Sequence, residues 1–235
     1  MSKRIEKIKS RGYWKINFRP LIYKERLSPL SKCKDIVEKN AVHLRGWDYP
    51  HYPRRKDDDT SLDPGSDYYE GWVDWRIHKE FWRMYQSGQF INYRALWEDW
   101  HDEEDPSLSS EPIIPKMVNL GVVHTIYQIT EIYEFLLGLM KEGIYREGLE
   151  LSIILCNTKG RILWLDNPMR VPFMEEKNTI AQNIPFKKEY SEIEVIEDSS
   201  ELAIVTILYF FERFDWIPSE DLIRKDQQDF LKRRR

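Results

Sequence analysis

Residues 68–97 read YYEGWVDWRIHKEFWRMYQSGQFINYRALW, and this stretch decides the fold. Over residues 68–77, apolar side chains alternate with charged ones, which is typical of a half-buried strand. Two further aromatic runs, 81–86 and 89–97, flank a Ser-Gly pair. Glycine adopts positive φ without a steric cost, so the pair predicts a hairpin turn. The stretch therefore predicts a meander of three antiparallel strands.

Aromatic side chains are dense around this meander, because residues 43–100 hold six of the nine tryptophans. Tryptophan and tyrosine combine a large apolar area with a polar group. Two interpretations follow: the rings are plain core, or some of them line a groove for a base, a peptide or another ring. The alternation places Tyr69, Val73 and Trp75 on one face of the first strand.

Length, charge and cysteine content limit the class of protein. The 235 residues suffice for one large domain or two small ones. A net charge of −4 argues against a general nucleic-acid coat but is compatible with a local basic patch. Cys33 and Cys156 lie far apart in apolar surroundings, which favours buried free thiols and a cytoplasmic location.

Residues 1–11 are basic, and no apolar run follows them, so we expect a flexible tail and not a signal peptide. No uncharged apolar run reaches the ~18 residues that a membrane span needs. We expect residues 12–235 to form a single domain that does not enter a membrane.

The chain before the meander predicts two strands and one helix. Residues 12–19 alternate apolar and polar side chains up to a proline, which predicts the first strand. A helix is predicted to start with Ser28 as its N-cap and Pro29 in its first turn. Residues 42–48 predict the second strand, and the prolines and aspartates of residues 50–67 predict a loop.

The chain after the meander predicts an acidic loop from residue 98, three long helices and further strands. The expected elements are a helix over 116–142, a strand over 149–156 with 161–165 as its returning partner, an irregular segment over 167–185, a strand over 190–197, a helix over 199–214 capped by Asp198 and Glu201, and a final helix from Ser219.

These elements do not follow a regular strand–helix alternation, and the chain has no Gly-rich phosphate loop. The predicted fold class is α+β: a largely antiparallel mixed sheet of about seven or eight strands, covered by three main helices.

Four phrases together resemble an uncharacterised family of bacterial proteins. They are RGYW (11–14), LRGWDYPH (44–51), QSGQF (86–90) and FERFDW (211–216), and the resemblance covers about residues 11–230. Some members of that family carry, or are encoded beside, an AlbA/Schlafen-like domain assigned to DNA binding. The resemblance implies a bacterial, regulatory or defence-associated context. It implies no catalytic residues, and we expect this chain to end before any such domain would begin.

The first candidate site is the segment 45–51, which brings a cation, two aromatic rings, a carboxylate and an imidazole together. Arg45 is expected to hold a phosphate or a carboxylate, and Trp47 to stack on a ring. The Arg-to-His spacing resembles the pair of HEPN ribonucleases, but Gly46 and Pro50 argue against the helix that such a pair needs. The predicted ligand or partner rim consists of Arg45, Trp47, Asp48, Tyr49 and His51.

Two weaker candidates follow from charge and donor type. Arg54, Arg55 and Lys56 stand next to tyrosines, a combination that suits single-stranded nucleic acid, although three aspartates follow at once. Histidines and aspartates at strand ends offer metal donors without a recognised metal-site spacing, so no metal or cofactor is assigned. These donors are His43, Asp48, His51, His78, Asp99 and His101.

The favoured function is a non-enzymatic binding or adaptor module of a bacterial cytoplasmic complex, with a partner protein or a second copy of the chain as the expected partner. Apolar side chains on the last helix, Leu222 and Phe230 among them, support an association surface. Two alternatives stay open: a metal-dependent hydrolase or nuclease that uses the strand-end histidines and aspartates, and a sensor of a nucleotide-type ligand.

Overall fold

A computed structural model describes residues 3–101 and 118–233, and it confirms the α+β class. Much of the predicted acidic loop and the start of the predicted helix at 116 lie outside the described residues. The strands in the described part are β1 (Tyr13–Pro20), β2 (Thr60–Pro64), β3 (Tyr68–Trp75), β4 (His78–Tyr85), β5 (Phe90–Ala95), β6 (Asn119–Gly121), β7 (Leu149–Cys156), β8 (Ile162–Trp164) and β9 (Asn183–Tyr190). The α-helices there are α1 (Lys3–Lys9), α2 (Lys32–Asn40), α3 (Val122–Lys141), α4 (Glu192–Glu212) and α5 (Glu220–Leu231).

Seven of these strands form one antiparallel sheet in the order β2-β3-β4-β5-β1-β7-β9, while β6 and β8 form a small parallel pair. The predicted meander β3-β4-β5 is confirmed, with Gly88 at φ 85° in its second turn. The first strand, β1, lies between the meander and β7, with Tyr13 opposite both Ala95 and Cys156. The strand β1 therefore joins the two halves of the sheet.

The main core lies between the sheet and helices α3, α4 and α5. Alternate residues of β1, namely Trp14, Ile16 and Phe18, are buried against it, as the period-two pattern predicts. The helix α3 is apolar on nearly all sides because it packs against the sheet, α4 and α5. Cys33 and Cys156 are buried free thiols, as expected.

The predicted flexible tail is wrong. Residues 3–9 form the helix α1, and its Ile5 and Ile8 are buried in a second apolar cluster with Trp72 and Phe81 of the meander. Lys7 Nζ donates to the Asp74 carboxylate at 2.8 Å. Two isoleucines three residues apart give the basic segment an apolar stripe, and this stripe covers the outer face of the sheet.

Because α1 covers that face, the middle of β3 is buried on both sides and not on one side alone. Trp72 is buried under α1 and Val73 is buried on the opposite face. Trp75, predicted to lie on the buried face with Val73, is 41% exposed because β3 ends there and the chain turns at Arg76.

Predictions around residues 28–67 need three corrections. The helix α2 starts at Lys32, after Ser31, and not at Ser28. Residues 29–32 instead form a turn in which the Lys32 N–H donates to the carbonyl of Pro29. Residues 42–48 are not a strand, since only Val42 and Tyr49 form a bridge. The predicted loop 50–67 contains the edge strand β2, which pairs with β3.

The predicted strand over 190–197 is wrong: Tyr190 ends β9, and α4 starts at Glu192, after a reciprocal capping box formed by Ser191 and Glu194. Four alternating residues are too few to distinguish a strand from a helix. The N-cap at Ser191 favours the helix. Asp198 is a kink inside α4 and not its cap. The segment 161–165 does not return along β7, because β8 pairs in parallel with β6.

The described helices include none that combines the length and apolar character needed to cross a bilayer.

Candidate ligand-binding cleft around Trp47

The loop that follows Val42 carries most of the predicted rim, and both of its ends are fixed. Backbone bonds join Val42 and Tyr49 at 2.7 and 3.1 Å, and Tyr49 is fully buried. The Trp82 indole Nε1 donates to the carbonyl of His51 at 2.7 Å. The intervening residues therefore project from a loop that is anchored to the sheet.

The Trp47 indole lies within a stack of parallel rings. Its centroid is 4.0 Å from that of His51 and 4.3 Å from that of His78, with interplanar angles of 17° and 10°. Both distances are too short for two imidazoles to lie side by side on one face of the indole, so they occupy opposite faces. Trp75, the cross-strand neighbour of His78, is parallel to Trp47 within 4° at 5.7 Å.

Asp48 orients the His51 imidazole. Its Oδ1 lies 2.5 Å from His51 Nδ1, and its Oδ2 accepts from the Tyr52 N–H at 3.3 Å. Burial alone would raise the pKa of Asp48, but the hydrogen bond and the charge of His51 hold this pKa below its ordinary value. The Nε2 of His51 has no hydrogen-bond partner among the described residues and belongs to a side chain that lines the cleft.

Arg45 makes a buried ion pair and does not point at a ligand. Its Nε and Nη2 donate to the two carboxylate oxygens of Glu131 at 2.7 and 2.6 Å, and Glu131 is fully buried on α3. Arg94 lies 3.7 Å from the same carboxylate, and Arg45 Nη1 is 3.3 Å from His124 Nδ1. Two cations share Glu131, which is the kind of pairing that buried charge requires.

The histidines beside these arginines stay neutral. Burial, followed by the charges of Arg94 and Arg45, lowers the pKa of His78 to about 3. Burial and the same two arginines hold the pKa of His124 well below its ordinary value. The wall behind Trp47 is therefore a charged arginine–glutamate network flanked by neutral imidazoles.

In front of this wall lies a cavity of about 420 Å³, which we call the Trp47 cleft. Six of the eight predicted site residues line it, whereas Tyr49 is buried beneath the loop and Lys56 pairs with Asp63 outside the lining. The lining residues are His43, Arg45, Gly46, Trp47, Asp48, His51, Tyr52, Pro53, Arg54, Arg55, Thr60, Val73 and Trp75.

The roles expected for Arg45 and Trp47 are corrected by these contacts. Arg45 is bound to Glu131, and both faces of Trp47 are covered by imidazoles. The side chains open to a ligand are different ones. Trp75 is an exposed ring, and Arg54 makes no hydrogen bond or ion pair with any described residue. Arg55 is mostly exposed, and its one ion pair within the described ranges is with Asp57, at 2.8 Å.

Sequence reasoning missed Glu131 and Arg94, and it did not connect Trp75 with the rim. One signal was present: Glu131 is a charged residue in the middle of the apolar repeat of α3, and such a residue needs a buried partner. Nothing in the sequence pattern placed Trp75 beside Trp47, because their contact depends on the path of the loop.

The proposed metal donors do not converge in the described part of the chain, where no group of three His, Cys, Asp or Glu side chains is placed to hold an ion. Asp99 instead accepts from Arg161 at 2.8 and 2.6 Å and from the Gly12 N–H at 2.7 Å. Its role in these contacts is to anchor the start of β1.

Comparisons of this chain with protein-family models, with curated proteins and with solved structures found no match.

Proposed function

We propose that this chain is a binding module that recognises another molecule in the Trp47 cleft, as part of a bacterial cytoplasmic complex. One observation carries the proposal: the exposed ring of Trp75 lines the same preformed cavity as the cation of Arg54, which has no ion pair with any residue that the structure describes. Ligand sites are concave, largely apolar and furnished with a few placed polar groups.

The cleft is also rigid, which favours binding. Trp47 is held between two imidazoles, His51 is fixed by Asp48, and the loop is bonded to the sheet at both ends. A wall that is already ordered loses little conformational entropy when a ligand arrives. The bacterial and complex-associated setting rests on the four phrases that resemble the bacterial family.

Site-specific photo-cross-linking in the native cells tests this function. A photoreactive amino acid replaces His43, an exposed residue of the cleft lining that the proposal does not use for binding, in one variant. In the control it replaces Ile217, which is 82% exposed and lies outside the cleft. We expect a discrete adduct from position 43 and none of the same mass from position 217. Equal adducts from both positions, or none from position 43, would contradict a binding role for the cleft.

A second candidate, hydrolysis, is favoured by the Asp48–His51 pair, which has the geometry of an oriented general base. Its test is cleavage of single-stranded and double-stranded DNA and RNA with Mg²⁺ or Mn²⁺, by the wild type and by His51→Gln. Cleavage lost in the variant would support the candidate, whereas cleavage that is equal in both, or no faster than in buffer, would remove it.

A further inference from the structure

The ligand chemistry of the Trp47 cleft is set by three groups that a ligand can reach. One is the ring of Trp75, which contacts Trp47 and Arg76 and is still 41% exposed. The others are the guanidinium of Arg54 and the Nε2 of His51, which have no hydrogen-bond or ion-pair partner among the described residues. We propose that the cleft binds a nucleotide, meaning a nucleobase with its phosphate, either free or within a single strand. This inference rests on the proposed function and names the class of ligand.

The ring is the first requirement. Trp75 is 41% exposed, while Trp47 beside it has both faces covered, so Trp75 is the indole that a visiting ring can contact. Its plane is parallel to that of Trp47 within 4°, so a planar ligand on Trp75 would extend an existing stack. Nucleobases stack on aromatic side chains with little dependence on sequence.

The anion is the second requirement. Arg54 is exposed and without an ion pair among the described residues, and Arg55 shares its charge with Asp57 alone. The negative charge of Asp48 is already bonded by His51 and by the Tyr52 N–H. Among the residues that line the cleft, the cations left available therefore exceed the anions. Guanidinium groups bind phosphate oxygens in a forked geometry.

The third requirement is a hydrogen-bonding group on the edge of the ligand ring. This property distinguishes a nucleobase from a plain aromatic ring. His51 Nδ1 is held by Asp48, so Nε2 is left to exchange a hydrogen bond with a ligand. A base edge carries donors and acceptors, whereas a phenyl edge carries none. The cavity of about 420 Å³ is also within the range of small-ligand sites, about 300–1,000 Å³.

Calorimetric titration of the whole chain tests this inference with five probes: mononucleotides, nucleosides, inorganic phosphate, O-phosphotyrosine and a short single-stranded oligonucleotide. We expect a mononucleotide to bind at least about tenfold more tightly than its nucleoside or than phosphate. An oligonucleotide that binds more tightly per site would identify a strand as the source, and equal affinity would identify a free nucleotide. Tighter binding of O-phosphotyrosine than of every nucleotide would overturn the inference.

Variants assign the binding to the cleft. Trp75→Ala is expected to weaken nucleotide binding by about tenfold or more, the usual effect of losing one stacked base. Arg54→Glu is expected to weaken it further and to reduce its salt dependence. The matched controls are Tyr23→Ala, an aromatic that is 85% exposed elsewhere, and Arg146→Glu, an exposed arginine without a described ion pair. Both controls are expected to bind as the wild type does.

The failure of this inference differs from the failure of the proposed function. If no nucleotide binds, or if binding survives Trp75→Ala, while the cross-linker at position 43 still captures a discrete partner, the nucleotide assignment is overturned and the binding role stands. If position 43 also captures nothing, both are overturned.

Discussion

The guanidinium of Arg45 and the carboxylate of Glu131 form a two-bond ion pair between side chains that are 86 residues apart in the chain. This pair fixes the loop of the Trp47 cleft to the helix α3. We expect Arg45→Ala to lower the free energy of unfolding by about 3–5 kcal/mol, because the one described cation that it leaves beside the buried carboxylate is Arg94, at 3.7 Å. Urea denaturation measures the loss.

A charge-conserving variant is the control for that measurement. Arg45→Lys keeps a positive charge beside Glu131 but loses the two-bond geometry, so it is expected to recover only a part of the loss. A loss below about 1 kcal/mol in Arg45→Ala would show that the pair contributes little to stability.

The helix α1 is predicted to stabilise the domain. Ile8 is fully buried against the meander, so Ile8→Ala is expected to lower the free energy of unfolding by about 2–5 kcal/mol. Lys3→Ala, at an exposed position of the same helix, is the control and is expected to change it by less than about 0.5 kcal/mol. Equal small effects in both variants would mean that α1 does not pack on the sheet in solution.

Two glycines provide a matched test of packing. A Cβ at Gly71 would lie 2.3 Å from Trp82 Cε2, whereas a Cβ at Gly46 meets nothing within 4 Å. Gly71→Ala is therefore expected to cost about 1–3 kcal/mol through forced displacement of the buried indole, and Gly46→Ala to be close to neutral. Thermal unfolding compares the two, and a neutral Gly71→Ala would refute the tight contact.

Glu98 is predicted to make stability fall as the pH rises. Burial raises its pKa from 4.5 to about 7, so between these values the folded chain holds a proton that the unfolded chain has lost. The free energy of unfolding therefore falls as the pH rises, and the total loss is on the order of 3 kcal/mol once the pH exceeds 7. The difference in unfolding free energy between the wild type and Glu98→Gln, followed across this range, isolates the effect. A constant difference would contradict it.

His78 is predicted to act in the opposite direction. Its pKa is lowered to about 3 in the folded chain, so below 6.5 the unfolded chain binds the proton first, and stability is lost as the pH falls. Nuclear magnetic resonance should show a His78 ring that stays neutral down to about pH 3. His78→Phe keeps a ring against Trp47 and is expected to remove this part of the acid sensitivity. A ring that titrates near 6.5 would disprove the shift.

The elements that the sequence predicts well are those whose signal is local. The meander follows from alternation and a Ser-Gly turn, and α3 from an apolar repeat over many residues. The errors occur where two local signals compete. The alternation over residues 190–197 predicts a strand, but the N-cap at Ser191 starts a helix there. The basic composition of residues 1–11 predicts a flexible tail, but the apolar pair Ile5 and Ile8 packs a helix onto the sheet.

The candidate site was located by sequence but its contacts were not. Aromatic, basic and acidic side chains between Arg45 and Arg55 do gather around one cavity. Which ring is exposed and which arginine is unpaired depends on partners from β3, β4 and α3, such as Trp75, His78 and Glu131. No spacing within the segment encodes contacts to residues so distant in the chain.

The position of β1 within the sheet has a consequence for synthesis on the ribosome. This strand is made before both of its neighbours, β5 and β7, whose residues opposite Tyr13 are Ala95 and Cys156. A nascent chain that ends before β7 carries β1 with one edge open, at the centre of the future sheet. Open edges pair readily with other chains. The growing polypeptide is therefore most prone to aggregate after the meander is complete and before residue 156 has been released.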